Sequence, residues 1–522
     1  MRARFLKLAA LVPVATLSLV PAAPAASALP TCPDPATALI TLDPSVPANT
    51  CARPVINVGD TVGSFMFEGI PDGIGAMPGV GGTVEVFVNH EQSRVPFAPV
   101  LPGPFFADFD WASVSHLTLD ANGHVISGSE PIPDSAGFQR FCSATMAGPD
   151  QGLSSYVFLT GEEAPERVAV PAGAPYGADP AYAPANDRQS GYSVVLDPVT
   201  GAFTQVAGMG RHNHENEMVL PGDWDQIAIL SGDDTFTPPA PASQLYLYLA
   251  DTVASIRSDQ GSLWAFQATA RNGVKVDAAN PLNNANDYSD IVLGDHFRGR
   301  FIRVPTKVAK GLTSAEPQTA LENWSNQHNV FQFIRIEDSA YDPRVGPGEN
   351  PVMYFSDTGN GNVIEGPNGQ LIGGAGPFNR GRVFRMEFAP DNPRKVVDLS
   401  ILIDGNFSAN PFSPGLALRA PDNIGMSDHS LMLQEDTSSQ VSRLLRYDLD
   451  TRTWSVIAKV NDQQWESSGI VDASDFYGPG TWLLDVQAHN VNVEGPTEIP
   501  PGSGVFYKTE GGQLLLLTLP GS

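Results

Sequence analysis

The sequence predicts an all-β fold, a six-bladed β-propeller with long loop insertions. Three observations carry this. Glycine (50) and proline (46) are abundant while charged residues make up only 17%. Few segments show the 3.6-residue apolar period of helices, which leaves short strands joined by turns. Two kinds of strand alternate along the chain, six times each.

The first kind is an apolar strand that ends abruptly in acidic or polar groups. It occurs at residues 86–91, 157–163, 227–234, 352–359, 431–436 and 482–489. Near-continuous apolar runs suit strands buried on both faces, so these are expected innermost. The second kind alternates polar and apolar residues and then turns. It occurs at 114–126, 192–206, 245–251, 383–397, 444–457 and 505–517. Period-2 alternation suits outer strands. Asp120-Ala121-Asn122-Gly123 and Glu510-Gly511-Gly512 have the glycine that hairpin turns demand. Two β-sandwiches would use the same strands, but strict alternation favours a repeat architecture. The third and fourth acid-ended strands are the most widely spaced, which places an insertion around 252–350. Its Asn/Asp-rich run at 277–290 reads as a loop, as do 165–188 and 235–242. No linker interrupts the pattern, so residues 61–522 read as one propeller.

Residues 1–28 have the grammar of a secretory signal peptide: basic Arg2, Arg4 and Lys7, an apolar run over 8–20, and Ala26-Ser27-Ala28 before the cut. The protein is therefore expected to be secreted, into the medium or the cell-wall space. Residues 29–60 form an N-terminal segment in which Cys32 and Cys51 flank a proline-rich stretch. A disulfide between them is the simplest pairing, though Cys142 could partner either. No later stretch reaches the roughly 20 apolar residues of a membrane span. The net charge of −27 disfavours nucleic acid and anionic membranes as partners. A monomer acting on a small-molecule ester is expected.

Acids at the ends of several propeller strands converge near the central axis although they are distant in sequence. Confined carboxylates repel unless a cation neutralises them, and oxygen-rich sites favour Ca²⁺ outside the cell. The candidates are Glu91, Glu162, Glu163, Asp233, Asp234, Asp357, Glu435 and Asp436. In Arg211-His212-Asn213-His214-Glu215-Asn216-Glu217, Glu215 is read as a metal ligand, with His214 touching it or the substrate. In Arg335-Ile336-Glu337, the arginine and the acid project to one side of a strand, where a metal and a guanidinium could grip one oxyanion. Arg211 could support the same charge. Asp422 and Asn423 offer oxygens suited to calcium.

The chain has no Gly-x-Ser-x-Gly elbow, Walker loop, Cys-x-x-Cys pair or His-Glu-x-x-His helix. It resembles the PhoX-type alkaline phosphatases. The resemblance rests on Val88-Asn89-His90-Glu91, Thr160-Gly161-Glu162-Glu163, Arg211 to Glu215, Arg335-Ile336-Glu337, Pro421-Asp422-Asn423, Glu466-Ser467-Ser468-Gly469-Ile470 and Asp485 to His489. It implies an exported six-bladed propeller that hydrolyses phosphomonoesters with iron and calcium on its axis. It also implies metal ligation by Glu162, Glu215 and Glu337, and phosphate binding by Arg335. The iron-binding relatives carry a cysteine where this chain has Gly161, so several calcium ions are expected in preference to iron. Two other readings use the same residues: a calcium-dependent lactonase, esterase or phosphotriesterase, and a non-catalytic propeller with structural calcium.

Overall fold

The computed structural model describes residues 37–522 apart from 97–102, 171, 173–186, 236–242, 278–290, 360–362, 366–370, 374–379, 406–417 and 438–439. The expected signal peptide, Cys32 and nearly all of the Asn/Asp-rich run lie outside the described residues.

The described chain is β-rich and builds successive antiparallel meanders. One comprises Pro71–Pro78, Val84–His90, Ser113–Leu119 and Val125–Ile132. The next comprises Phe141–Ala147, Val157–Glu162, Ser193–Leu196 and Phe203–Val206. Meanders opening with His214–Leu220 and with Ile336–Tyr341 follow, merged by Phe297–Arg303 into one ten-stranded sheet. The last two open with Pro421–Met426 and Glu466–Asp472. Strands from the N-terminal segment complete them: Ile40–Leu42 pairs with Thr453–Val460, and Cys51–Asn57 pairs with Val505–Thr518.

The apolar residues explain why these sheets pack. Phe87 and Val114 meet Phe158 and Leu196, and Leu159 and Val195 meet Ile229 and Tyr246. Leu230 and Phe266 meet Phe355 and Phe384, and Val383 meets Leu433 and Leu445. Met432 and Ile457 meet Trp482 and Leu515, and Leu483 and Leu514 return to Val86 and Leu117. Each hydrophobic cluster thus lies between consecutive sheets, and the last sheet closes on the first. The opening strands neighbour one another around the same circuit, with Pro71–Pro78 beside both Phe141–Ala147 and Glu466–Asp472. This is a β-propeller-like arrangement.

The order of strands within a sheet differs from the expectation. The acid-ended apolar strands are second, and the innermost are Pro71–Pro78, Phe141–Ala147, His214–Leu220, Ile336–Tyr341, Pro421–Met426 and Glu466–Asp472. These are studded with polar residues, so they carry no continuous apolar pattern. Each has a register shift against its second strand near its start, between Pro71 and Ile74, Phe141 and Ala144, His214 and Glu217, Ile336 and Ser339, Pro421 and Ile424, and Ser468 and Ile470. A bulge of this kind re-aims side chains. Ile70, Arg140, Arg335 and Ala420, each just before an inner strand, have φ of 50°, 38°, 55° and 38°. Their carbonyls accept the N–H of Glu91, Glu163, Thr358 and Asp436, and Asn213 accepts that of Asp234 in the same way. The repeat is therefore written in backbone geometry more clearly than in sequence.

One smaller expectation also changes. Gly511 and Gly512 are not a turn but lie inside Val505–Thr518, where a Cβ on Gly512 would sit 2.7 Å from Pro71 Cδ. The 252–350 segment is built around strands Ser262–Arg271 and Phe297–Arg303 and helix Pro317–Gln327. The Asp120 turn does form as expected, with Gly123 at φ 75° and the Asp120 carboxylate accepting from the backbone of Asn122 and His124.

Gly73 shows how tightly the inner strands meet. A Cβ there would lie 2.2 Å from the Ala144 nitrogen and 2.7 Å from the Cys142 carbonyl. Backbone cannot retreat as a flexible side chain can. Gly73→Ala is expected to destabilise by about 2–3 kcal/mol, read as a lowered melting temperature.

Candidate metal centre

Five inner-strand bulges each enclose one donor, Asp72, Cys142, Glu215, Glu337 and Asp422, and Glu466 opens the sixth inner strand ahead of its bulge. The residues that follow the second strands add Glu91, Glu163 and Asp436. Together they form four donor triads, each with its ligand atoms within 4.8 Å of one another. They are Asp72–Glu91–Cys142, Cys142–Glu163–Glu215, Glu215–Glu337–Asp422 and Asp422–Asp436–Glu466. Cys142, Glu215 and Asp422 are each shared by two triads, so the donors form a continuous line. The two middle triads are the most buried, with two buried members each, and the last triad, half-buried throughout, is the most open.

Local bonds hold the line in place. Gln487 donates to Asp72 Oδ2 at 2.9 Å and to Glu91 Oε2 at 3.1 Å. Ser143 donates to Glu215 Oε1 at 2.6 Å, and Cys142 Sγ lies 3.3 Å from the same oxygen. Thr358 donates to Glu337 Oε1. The Arg335 guanidinium spans Asp234 at 2.9 and 2.7 Å and lies 3.3 Å from Glu337 Oε1. Its side chain keeps 30% of its exposure, so it borders both cluster and solvent.

The electrostatics call for cations. Eight carboxylates and one thiol share this confined space, with Arg335, His489 and Arg140 among the cations that oppose them. Burial first, and then mutual repulsion, pushes Asp72, Glu163, Glu215, Glu337, Asp422 and Glu466 well above the usual carboxylate range. Burial and the same neighbours push the Cys142 thiol up. Asp72 Oδ1 and Glu215 Oε2 are buried without a hydrogen-bond partner. Buried acceptors left in this way fit metal ligation, in which the ion replaces the lost water.

Of the residues expected from sequence, Glu91, Glu163, Glu215, Glu337, Asp422 and Asp436 are in the donor line. Others are placed elsewhere. Glu162 is locked to Arg188 by hydrogen bonds of 2.6 and 2.5 Å, with both side chains fully buried. Asp234 serves as the clamp on Arg335. Asn423 bonds Ser143 and Ser468 and so braces the cluster from behind. His214 turns away, bonding Glu217 at 3.1 Å and Ser231 at 3.0 Å. Arg211 is buried, its guanidinium 3.4 Å from the centre of the Tyr192 ring and bonded to the Gln189 and Ser190 carbonyls. Asp233 is buried and bonded by Thr235, Asp357 bonds the backbone of Ile334 and Gly359, and Glu435 pairs with Arg443.

Asp72, Cys142 and Glu466 were not expected as ligands. The repeated string Pro71-Asp72-Gly73-Ile74-Gly75 and Pro421-Asp422-Asn423-Ile424-Gly425 was the available signal for Asp72. Gly161, read from sequence as standing in place of the relatives' thiolate, is packed against His214, and a thiol enters the cluster from another strand. A Cβ on Gly161 would lie 2.3 Å from His214 Cβ, whereas Cys142, on the adjacent strand, is a free thiol inside the cluster.

The fold and this line of acids define a propeller-like metal-binding protein. Residues 157–475, more than half of the chain, match the family described as "Alkaline phosphatase PhoX", and the chain belongs to that family. The structure of Pseudomonas fluorescens PhoX in complex with vanadate, a transition state analogue, is similar at TM-score 0.61 and 16% identity, covering 94% of this chain and 98% of that one. At that identity the likeness is one of fold. A GH93 α-L-arabinofuranosidase of Fusarium graminearum with arabinobiose matches at TM-score 0.37 and 9% identity, over 85% and 92% of the two chains, too weakly to support an argument. No curated protein sequence matches significantly.

Two outcomes are expected. Glu162→Gln strands the buried Arg188 charge and should cost about 3–5 kcal/mol, seen as a lower melting temperature with metal content unchanged. In the metal-free protein the cluster acids have folded-state pKa values above their unfolded values. Their contribution to stability is therefore full below about pH 4 and is lost as pH rises through the folded values. With chelator, the melting temperature should fall between pH 5 and pH 8 by more than it does in the metal-loaded protein.

Proposed function

We propose that this protein is a metal-dependent phosphatase that hydrolyses phosphate monoesters at the donor line, with Arg335 holding the phosphoryl group. Family membership supports the reaction class. The observation that carries the site is Arg335 beside Glu337, a charged and partly exposed guanidinium bordering a cluster dominated by carboxylates. The Asp234 clamp fixes its planar fork, and its left-handed backbone, at φ 55°, sets its direction. A preorganised guanidinium stabilises the charge that develops on phosphoryl oxygens without reorganising. Bound ions would polarise the phosphoryl group and neutralise the carboxylates.

The donor set supports two kinds of ion. The triads that contain Cys142 combine a thiolate with carboxylates and suit a transition ion such as iron, while Asp422–Asp436–Glu466 is all oxygen and suits Ca²⁺. Cys142 thus restores iron to consideration beside calcium. We read the architecture as a six-bladed propeller, in line with the circuit of inner strands. Export is supported by the signal-like N-terminus and by Cys51, which is disulfide-bonded as an oxidising compartment permits. No helix among the described residues is long and apolar enough to cross a membrane.

The test is turnover of p-nitrophenyl phosphate against an aryl acetate and a lactone. Phosphate-ester turnover alone fits the proposal, and lactone or acetate turnover alone would replace it. Arg335→Ala should lower kcat/KM by about 10²–10³-fold while metal content is kept. Cys142→Ser should reduce stoichiometric iron and leave calcium, measured by metal analysis of the purified protein.

A further inference from the structure

A cavity of about 330 Å³ borders the donor line at Glu91. One wall is apolar, formed by Ile70, Phe106 and Ala107. Phe106 and Ala107 belong to Phe105–Asp108, a short strand that pairs in parallel with Val505–Thr518 and takes no part in the meanders. The neighbouring strand Val505–Thr518 and its hairpin partner Thr481–Glu498 bring Lys508, Glu510 and His489 into the lining, and Asp108 joins them. Both cations bond Glu510, which ties them down. The Lys508 ammonium lies 4.8 Å from the centre of the Phe106 ring, and Phe506 packs at 6.1 Å, so the ring is held in one orientation.

A phosphoryl group bound at the donor line directs its organic substituent away from the ions. The cavity beside Glu91 offers that substituent an apolar wall with an aromatic ring. Its volume lies at the small end of organic-ligand pockets, enough for one ring system. We propose that this cavity is the subsite for the organic part of the ester, and that Phe106 gives a preference for ring-bearing monoesters over short polyol esters. The inference rests on the phosphatase reading above. Phe106 acts on specificity here: it contacts the leaving group and leaves the phosphoryl group to Arg335 and the acids.

The experiment compares phenyl phosphate with glycerol 2-phosphate on the full-length, metal-loaded protein. Phe106→Ala should raise KM for phenyl phosphate by about tenfold, with kcat and the glycerol phosphate parameters within twofold. Phe106→Tyr, which keeps the ring, should restore the phenyl phosphate KM. Phe106→Leu keeps most of the packing volume and should show the same selective loss, which covers failure of the alanine variant to fold. Equal effects on both esters, or none on either, overturn the subsite while leaving the phosphatase reading intact. No turnover of either ester by the unsubstituted protein overturns the phosphatase reading and the subsite with it.

Discussion

Mutual repulsion among confined carboxylates is the constraint on which the rest of the structure depends. Asp72, Glu91, Glu163, Glu215, Glu337, Asp422, Asp436 and Glu466 lie in one line with Cys142. A folded chain tolerates this only if ions share the site or if protons replace them. The raised proton affinity of the acids describes the second state, and the unpartnered oxygens of Asp72 and Glu215 point to the first. Rigidity follows from the same constraint, because donors that repel must be held from behind. Gln487, Ser143, Asn423 and Thr358 supply that hold.

The scaffold answers the constraint with a repeated device. Five of the six inner strands begin with a bulge that encloses their donor residue, and four inner strands are preceded by a residue at positive φ. Each such conformation costs of order 1–3 kcal/mol and persists only where surrounding structure over-determines it. The apolar clusters between sheets supply that determination. Ion pairs kept away from the axis, such as Arg188–Glu162 and Arg443–Glu435, anchor the acids that end the second strands, so the next residue is the one that faces the cluster.

Much of the fold was legible in the sequence because second and outer strands are ordinary strands. The second strands are buried over most of their length apart from the exposed end of Thr481–Glu498, and the outer strands mix buried with exposed residues. The inner strands were missed for a physical reason. Strings such as Pro71-Asp72-Gly73 and His214-Glu215-Asn216 serve ligation and close approach, and neither leaves a hydrophobic period. The same cause explains the candidate site. Acids that directly follow the second strands, Glu91 and Glu163, were legible by recurrence, whereas Glu162 resembles them in sequence and differs only in having Arg188 against it. The Arg211 to Glu217 string looked uniform in chemistry. Strand alternation sends Glu215 to the axis and His214 between sheets.

By itself, the sequence determined the all-β class, the alternation of strands, the acidic character of the site and several of its acids, because these follow from composition and periodicity along the chain. The tertiary structure decided which acids meet in the donor cluster and which are ion-pair anchors. It also decided that a thiol joins them through Cys142, and that Arg335 is clamped at their edge. Those assignments depend on which side chains from distant strands meet at a bulge, and on whether a cation or another carboxylate waits there.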